Sequence, residues 1–273
     1  MVIYLFIRNI YTQTVITIDP DETLDKASEK MFFYGISRLV VVKNDTPIGI
    51  VTEKDITRYL TNITKPINQI KVSEVMSHPL ITASPNDTVQ SAARKMLEHN
   101  ISSLVIVEDS KLKGIVTKFD IVKFCSTMKG RWLVRDYMTK HVISVSSFDT
   151  VFRVIDLMVN NNISRIVVAD ANNKPIGIIT LADIVRSLPE ISFTKLKSMR
   201  ISKILRPLLL KSIMVSTIMS RDLIVIRENA DLAEAAQAMV TYNISGLPVV
   251  NSEDKLVGII TKTDITRAIS KLE

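Results

Sequence analysis

Gly49-Ile50-Val51-Thr52-Glu53-Lys54-Asp55 is written three more times in this chain, as Gly114 to Asp120, Gly177 to Asp183 and Gly258 to Asp264. Each copy runs Gly, two residues, Thr, two residues, Asp, and four of the seven glycines occupy that one register. An internal repeat therefore governs the reading. Upstream of each Asp stands an Ile-Ser step: Ile36-Ser37-Arg38, Ile101-Ser102-Ser103, Ile163-Ser164-Arg165 and Ile244-Ser245-Gly246. A methionine precedes each step, Met31, Met96, Met158 and Met239, and reads as core filling. Further back lie β-branched stretches, Val15 to Ile18, Leu80 to Ala83, Val142 to Val145 and Leu223 to Ile226. The last three follow an apolar-x-x-apolar-Met element at Val72 to Met76, Val134 to Met138 and Val215 to Met219; in the first copy it reads Ile7 to Tyr11.

The apolar period changes where the punctuation falls, and it spells strand, helix, strand, strand, helix in every copy. Thr88 to His99 sets Val89, Ala92, Ala93, Met96 and Leu97 on one helical stripe. Leu104 to Val107, the polar turn Glu108 to Lys111, and Gly114 to Val116 read as a hairpin of buried strands. Thr117 then opens another helix. The expected fold is α+β, an α/β sandwich-like arrangement. It comprises repeats at 7–60, 72–124, 134–187 and 215–270, with an extra segment at 188–214. Units of about 60 residues are marginal alone, so they are expected to pack as two tandem pairs.

Composition narrows the function. The chain has 273 residues, 47% of them hydrophobic, and no apolar run near the roughly 18 residues that a bilayer span needs. Neither a membrane span nor a signal peptide is expected, and a lone Cys125 fits a reducing cytoplasm. His78, His99 and His141 fall at different repeat positions, so neither a metal site nor a catalytic cofactor is expected. No nucleophile with a base recurs, which argues against an enzyme. The net charge of +7 is mostly dispersed. Lys195, Lys197, Arg200, Lys203, Arg206 and Lys211 concentrate in the extra segment, either as a linker helix docked through Ile201, Ile204, Leu205 and Leu208 to Leu210, or as a surface for nucleic acid or an acidic partner.

The Thr-x-x-Asp endings carry two readings from chemistry alone. Thr52 with Asp55, Thr117 with Asp120, Thr180 with Asp183, and Thr261 with Asp264 each have the spacing of a helix capping box. An ionised carboxylate can also accept both hydroxyls of a ribose, beside a helix N-terminus that favours phosphate. Glycine three residues before the Thr admits a backbone or ligand where a Cβ would intrude.

Together these motifs, in order and spacing over residues 7 to 270, resemble the cystathionine-β-synthase (CBS) domain family. With four units the chain is similar to the gamma subunit of AMP-activated protein kinase and to stand-alone prokaryotic CBS proteins. The resemblance implies units paired through their sheets, with clefts that bind AMP, ADP, ATP or S-adenosylmethionine, in an energy-sensing regulator of an unnamed partner protein. It also implies that each cleft takes its Asp from one unit and its first strand from the other. Asp120 then faces Thr17, Ser37 and Arg38, while Asp264 faces Ser144, Ser164 and Arg165; these are the stronger clefts, because guanidinium suits phosphate. Thr117, Lys118, Thr261 and Thr263 are expected to bind ligand beside those carboxylates, with Lys118 and Lys262 supplementing the arginines. The weaker clefts set Asp55 and Thr52 against Thr82 and Ser102, and Asp183 and Thr180 against Val225 and Ser245. The pairs fold on each other within one chain or between chains in a homodimer.

Overall fold

Four small three-stranded sheets repeat one topology along the chain. The structure is a computed structural model and describes residues 5–61, 65–184 and 212–272. The basic run from Lys195 to Lys211, with the docking residues Ile201 to Leu210, lies outside the described residues. The first unit has β1 (Thr17–Ile18), α1 (Leu24–Tyr34), β2 (Arg38–Lys43), β3 (Thr46–Thr52) and α2 (Glu53–Thr61); the second has β4 (Thr82–Ala83), α3 (Val89–Glu98), β5 (Ser103–Glu108), β6 (Lys111–Thr117) and α4 (Lys118–Cys125). In the third, α5 (Val134–Tyr137) leads into β7 (Ser144–Val145), α6 (Val151–Asn160), β8 (Arg165–Ala169) and β9 (Pro175–Thr180), with helix again at 181–184. The fourth runs α7 (Val215–Ile218), β10 (Ile226–Arg227), α8 (Leu232–Thr241), β11 (Gly246–Val250), β12 (Leu256–Thr261) and α9 (Lys262–Ser270).

In each sheet the short first strand lies parallel to the middle strand, and a hairpin supplies the antiparallel third. The two-residue turns Asn44-Asp45 and Asp109-Ser110 have positive φ at both positions, the geometry that matches a tight hairpin's twist. The first strands are shorter than their β-branched stretches. The N–H groups of Ser84 and Ser146, next in line, donate to the carboxylates of Asp87 and Asp149 and so leave the ladder. Hydroxyls of Thr88 and Thr150 cap α3 and α6 by accepting from Ser91 N and Arg153 N.

Pairing of the units rests on exchange of their leading elements. Main-chain bonds join Ile50 to Ser77, Thr12 to Ile115, Thr139 to Ile259, and Ile178 to Ser220. The element before unit 1 thus adds to the sheet of unit 2, and the one before unit 2 to the sheet of unit 1. Units 3 and 4 exchange theirs in the same way. Ile7 is accordingly buried in the core of unit 2. The repeated glycine makes the crossing fit: a Cβ at Gly49 would lie 2.6 Å from Met76 Sδ, and one at Gly258 would lie 2.5 Å from Met138 Sδ. Backbone and methionine of the partner's leader, rather than a ligand, fill the space these glycines leave.

The pairs meet within the chain. Units 2 and 4 share one hydrophobic core, in which Ala92, Ala93 and Met96 of α3 join Ala235, Ala236 and Met239 of α8, with Ile121 of α4 and Ile265 and Ile269 of α9. Alanines at one register let α9 approach α3, and α8 approach α4. Units 1 and 3 keep separate cores. All four repeated methionines are buried.

Candidate functional site

Each Thr-x-x-Asp ending sits where a strand turns into a helix, because Thr is the last strand residue and Asp falls in the first helical turn. In unit 4, Asp264 Oδ2 accepts from Thr261 N at 2.8 Å and from Thr261 Oγ1 at 2.7 Å. The same pair of bonds forms at Asp55, Asp120 and Asp183. The capping box therefore exists, and it occupies one carboxylate oxygen. The other, Oδ1, has no main-chain donor. At Asp264 it meets Arg267 Nη1 at 2.9 Å; at Asp120 it lies 4.0 Å from Lys123 Nζ; at Asp55 it lies 3.5 Å from Ser77 Oγ and 3.9 Å from Arg58. Asp264 is 2% exposed and Asp120 6%, while Asp183 is half-buried.

The arginines are arranged asymmetrically. Arg38 donates to Ser37 Oγ at 2.9 Å and, across the pair, to Ser102 Oγ at 3.1 Å. Arg165 donates to Ser164 Oγ at 3.1 Å and lies over unit 4, where a Cβ on Gly246 would stand 2.5 Å from its Nη1. Ser103 and Gly246 hold the register that Arg38 and Arg165 hold in units 1 and 3. In the second pair the missing side chain of Gly246 makes the room that Arg165 fills. Burial opposes the charge of both arginines; charge attraction from Glu53, then Asp120, supports Arg38, and from Asp264 supports Arg165.

The two arginine-bearing clefts open toward one another. Lys118 Nζ, from unit 2, donates to Thr263 Oγ1 of unit 4 at 3.1 Å. Lys262 Nζ, from unit 4, stands 4.3 Å above the ring of Phe119 in unit 2. Each lysine feels the carboxylate of the opposite pair, Asp264 for Lys118 and Asp120 for Lys262. Burial, then neighbouring cations, push Lys118 down to about 8 and Lys262 down to about 7; burial alone drives Arg165 down to about 10. Four cations, Arg38, Lys118, Arg165 and Lys262, therefore share a poorly solvated centre with the two carboxylates Asp120 and Asp264.

The first-strand residues Thr17, Thr82, Ser144 and Val225 are half-buried or exposed and have no cap role. Ser245 O accepts from Lys262 N at 3.2 Å, and Ser102 O from Lys118 N at 3.0 Å, so the Ile-Ser steps anchor the helix entrances. One set of residues escaped the sequence reading. Thr12, Ser77, Thr139 and Ser220 are the exchanged leader positions that bond the glycine strand, and Ser77 Oγ reaches toward Asp55. The available signal was a hydroxyl residue following Tyr11, Met76, Met138 and Met219 in all four copies.

A tandem-repeat protein with paired units, exchanged leaders and a shared polar centre is the class that fold and site define. The CBS domain profile matches residues 7–62, 72–127, 134–190 and 215–271, and the chain belongs to the CBS domain family. MJ1225 of Methanocaldococcus jannaschii is 27% identical over 272 residues, covering 93% of this chain and 94% of that protein. Its crystal structure, described as that of a candidate archaeal homolog of g-AMPK, superposes with a TM-score of 0.86 over 97% of this chain and 99% of that one, at 26% identity. MJ1404 of the same organism is 29% identical over 280 residues, covering 98% of this chain, which spans 62% of that relative's length. A Pyrococcus horikoshii protein shares the fold, with a TM-score of 0.66 at 23% identity over 97% of this chain and all of that one. Among the described residues no helix is long and apolar enough to cross a membrane.

Proposed function

We propose that this chain is a non-enzymatic regulatory sensor that binds adenine nucleotides, AMP or ADP foremost, in the clefts of Asp120 and Asp264. ATP and S-adenosylmethionine are the further candidates, and a protein partner reads the bound state. The observation that carries the reading is the division of each carboxylate. Oδ2 caps the helix; Oδ1 makes only side-chain contacts, with Arg267 at Asp264 and more distantly with Lys123 at Asp120, that a ligand hydroxyl can replace, and a cationic centre lies beside it for phosphate. Family membership and the likeness to MJ1225 support the adenosyl class. Ligand bridging two units rigidifies the pair and shifts its population toward the form that the partner recognises.

Calorimetric titration with AMP, ADP, ATP and S-adenosylmethionine tests the proposal. Saturable binding of an adenylate that Asp120→Asn and Asp264→Asn weaken is the expected result. No heat from any of the four, with mass spectrometry finding no carried-over ligand, would refute it.

A further inference from the structure

The stretch that links the two pairs does more than connect them. Gly130, at φ +75°, turns the chain so that its N–H donates to Asp231 Oδ2, while Trp132 O accepts from Leu232 N at 2.9 Å. The linker is thereby fastened to the N-terminus of α8, and a cavity of about 560 Å³ opens between it, α5 and the C-terminal half of α9. That volume lies within the range of about 300 to 1,000 Å³ typical of small-molecule sites. Trp132 and Tyr137, edge to face at 6.1 Å, form an aromatic wall. Arg131, Arg267 and Lys271 line the rest with exposed cationic heads.

Charge selects the ligand's sign. The lining carries three cations, Arg131, Arg267 and Lys271, against two acids, Asp136 and Asp231, and the oxygens of Asp231 are turned to the main-chain N–H groups of Gly130 and Ala233, which leaves the cationic heads as the polar groups facing the opening. Indole and phenol rings against a planar ligand, with guanidinium and ammonium groups around them, suit an aromatic anion. We infer that this cavity is a second ligand site, for a planar aromatic anion of mononucleotide size or smaller, and that Arg267 couples it to the Asp264 cleft. Arg267 Nη1 is the group that holds Asp264 Oδ1 at 2.9 Å. An anion in the cavity draws the guanidinium away and releases that oxygen for a ribose hydroxyl. The coupling rests on the nucleotide reading of Asp264; the cavity itself does not.

The protein has one tryptophan, Trp132, which makes its emission a local reporter. Titration with anilinonaphthalene sulfonate, a planar aromatic anion, should quench that emission saturably. Arg131→Gln with Lys271→Gln should shift the midpoint about tenfold upward, in keeping with roughly threefold for each exposed charge. The single Lys271→Gln protein, altered at an exposed helix end, should show about threefold and guards against misfolding of the double variant. AMP at a concentration that just fills the Asp264 cleft should leave the quenching in place and move its midpoint downward. A midpoint within twofold of the parent in both variants overturns the second site, and an unmoved midpoint with AMP overturns the coupling through Arg267. If AMP produces no heat at all while the lysine variant still shifts the quenching midpoint, the nucleotide reading fails and the cavity stands.

Discussion

Units 2 and 4 and units 1 and 3 share one repeat and one fold, yet they meet their neighbours differently. Leu97 and Val240, the residues after Met96 and Met239, lie half-buried, Val240 against the shared core. Phe32 and Val159 hold the same register in units 1 and 3 and are 72% and 40% exposed. Ala92-Ala93 and Ala235-Ala236 permit close helix contact, whereas unit 3 presents the bulkier Val154-Ile155 at that register; unit 1, with Ala27-Ser28, is small there too, so residue size alone does not set the difference. The same division runs through the site. Units 2 and 4 bring the buried Asp120 and Asp264 and the lysines that follow Thr117 and Thr261, while units 1 and 3 bring Arg38 and Arg165. One half of the molecule is a shared core carrying the carboxylates Asp120 and Asp264, and the other presents guanidinium groups to it from separate cores.

The largest effect expected from breaking this comparison is on stability. Ile269→Ala, in the shared core, should cost about 2 to 5 kcal/mol, because it removes buried methyl groups and leaves a cavity that two units border. Val159→Ala in unit 3 should cost less than about 1 kcal/mol, since the side chain is already partly solvated. Urea unfolding followed by circular dichroism checks both. Equal costs would mean that the two faces are equally packed.

Next in size is the difference between strong and weak clefts. Asp264→Asn or Asp120→Asn should lower AMP affinity by about 30- to 150-fold, the equivalent of about 2 to 3 kcal/mol for lost charge-assisted bonds. Asp183→Asn should change it less than about threefold, because the residue after Thr180 is Leu181 where the strong clefts have Lys118 and Lys262. Calorimetry on the three variants ranks them, and a large loss at Asp183 would erase the distinction. Thermal melts should show all three losing a similar, small increment from the cap they have in common.

Legibility followed the range of the interactions. The hairpins, helix stripes and methionine cores were plain because each depends on residues a few places apart. The capping box at Thr261 and Asp264 was plain too, but sequence offered cap and ligand as rivals, and only geometry shows one oxygen taken by the cap and the other held by the Arg267 side chain. Leader exchange was invisible, since Gly49 and Met76 meet through the sheet of the other unit. Gln90 belongs to neither the apolar stripe of α3 nor its outward one, and its burial became visible only once the helix was packed. The alanine pairs that join units 2 and 4 look like ordinary helix residues until the fourth unit is placed beside the second.

A smaller effect sharpens the arginine asymmetry. Gly246→Ala adds a Cβ where Arg165 Nη1 now sits, and the guanidinium, being the end of a flexible side chain, moves aside. Nucleotide affinity at the Asp264 cleft should fall by about three- to tenfold, the scale of one displaced charge-assisted contact, with stability nearly unchanged. Ser103→Ala, which adds no bulk beneath Arg38, should do much less. Calorimetry on the two proteins makes the comparison, and equal affinities would remove Arg165 from the phosphate's reach.

The smallest effect is carried by protons. Lys118 and Lys262 titrate near 8 and 7 in the folded protein, both below the ordinary lysine value near 10.5, because burial and neighbouring cations oppose their charge. In the unfolded chain both hold their protons up to that ordinary value, so between about pH 7 and 10 the unfolded state binds more protons and stability of the free protein rises with pH. Below pH 7 both lysines are charged in either state, and the penalty is present in full. A phosphate between them reverses the balance by favouring the ammonium forms. Binding of AMP at pH 8, where its phosphate is already fully ionised, should therefore take up protons, seen as a heat of binding that changes between buffers of different ionisation enthalpy. Lys262→Met should abolish most of the uptake, since its site titrates furthest below pH 8, and a buffer-independent heat at pH 8 would place the phosphate away from the centre where the two pairs meet.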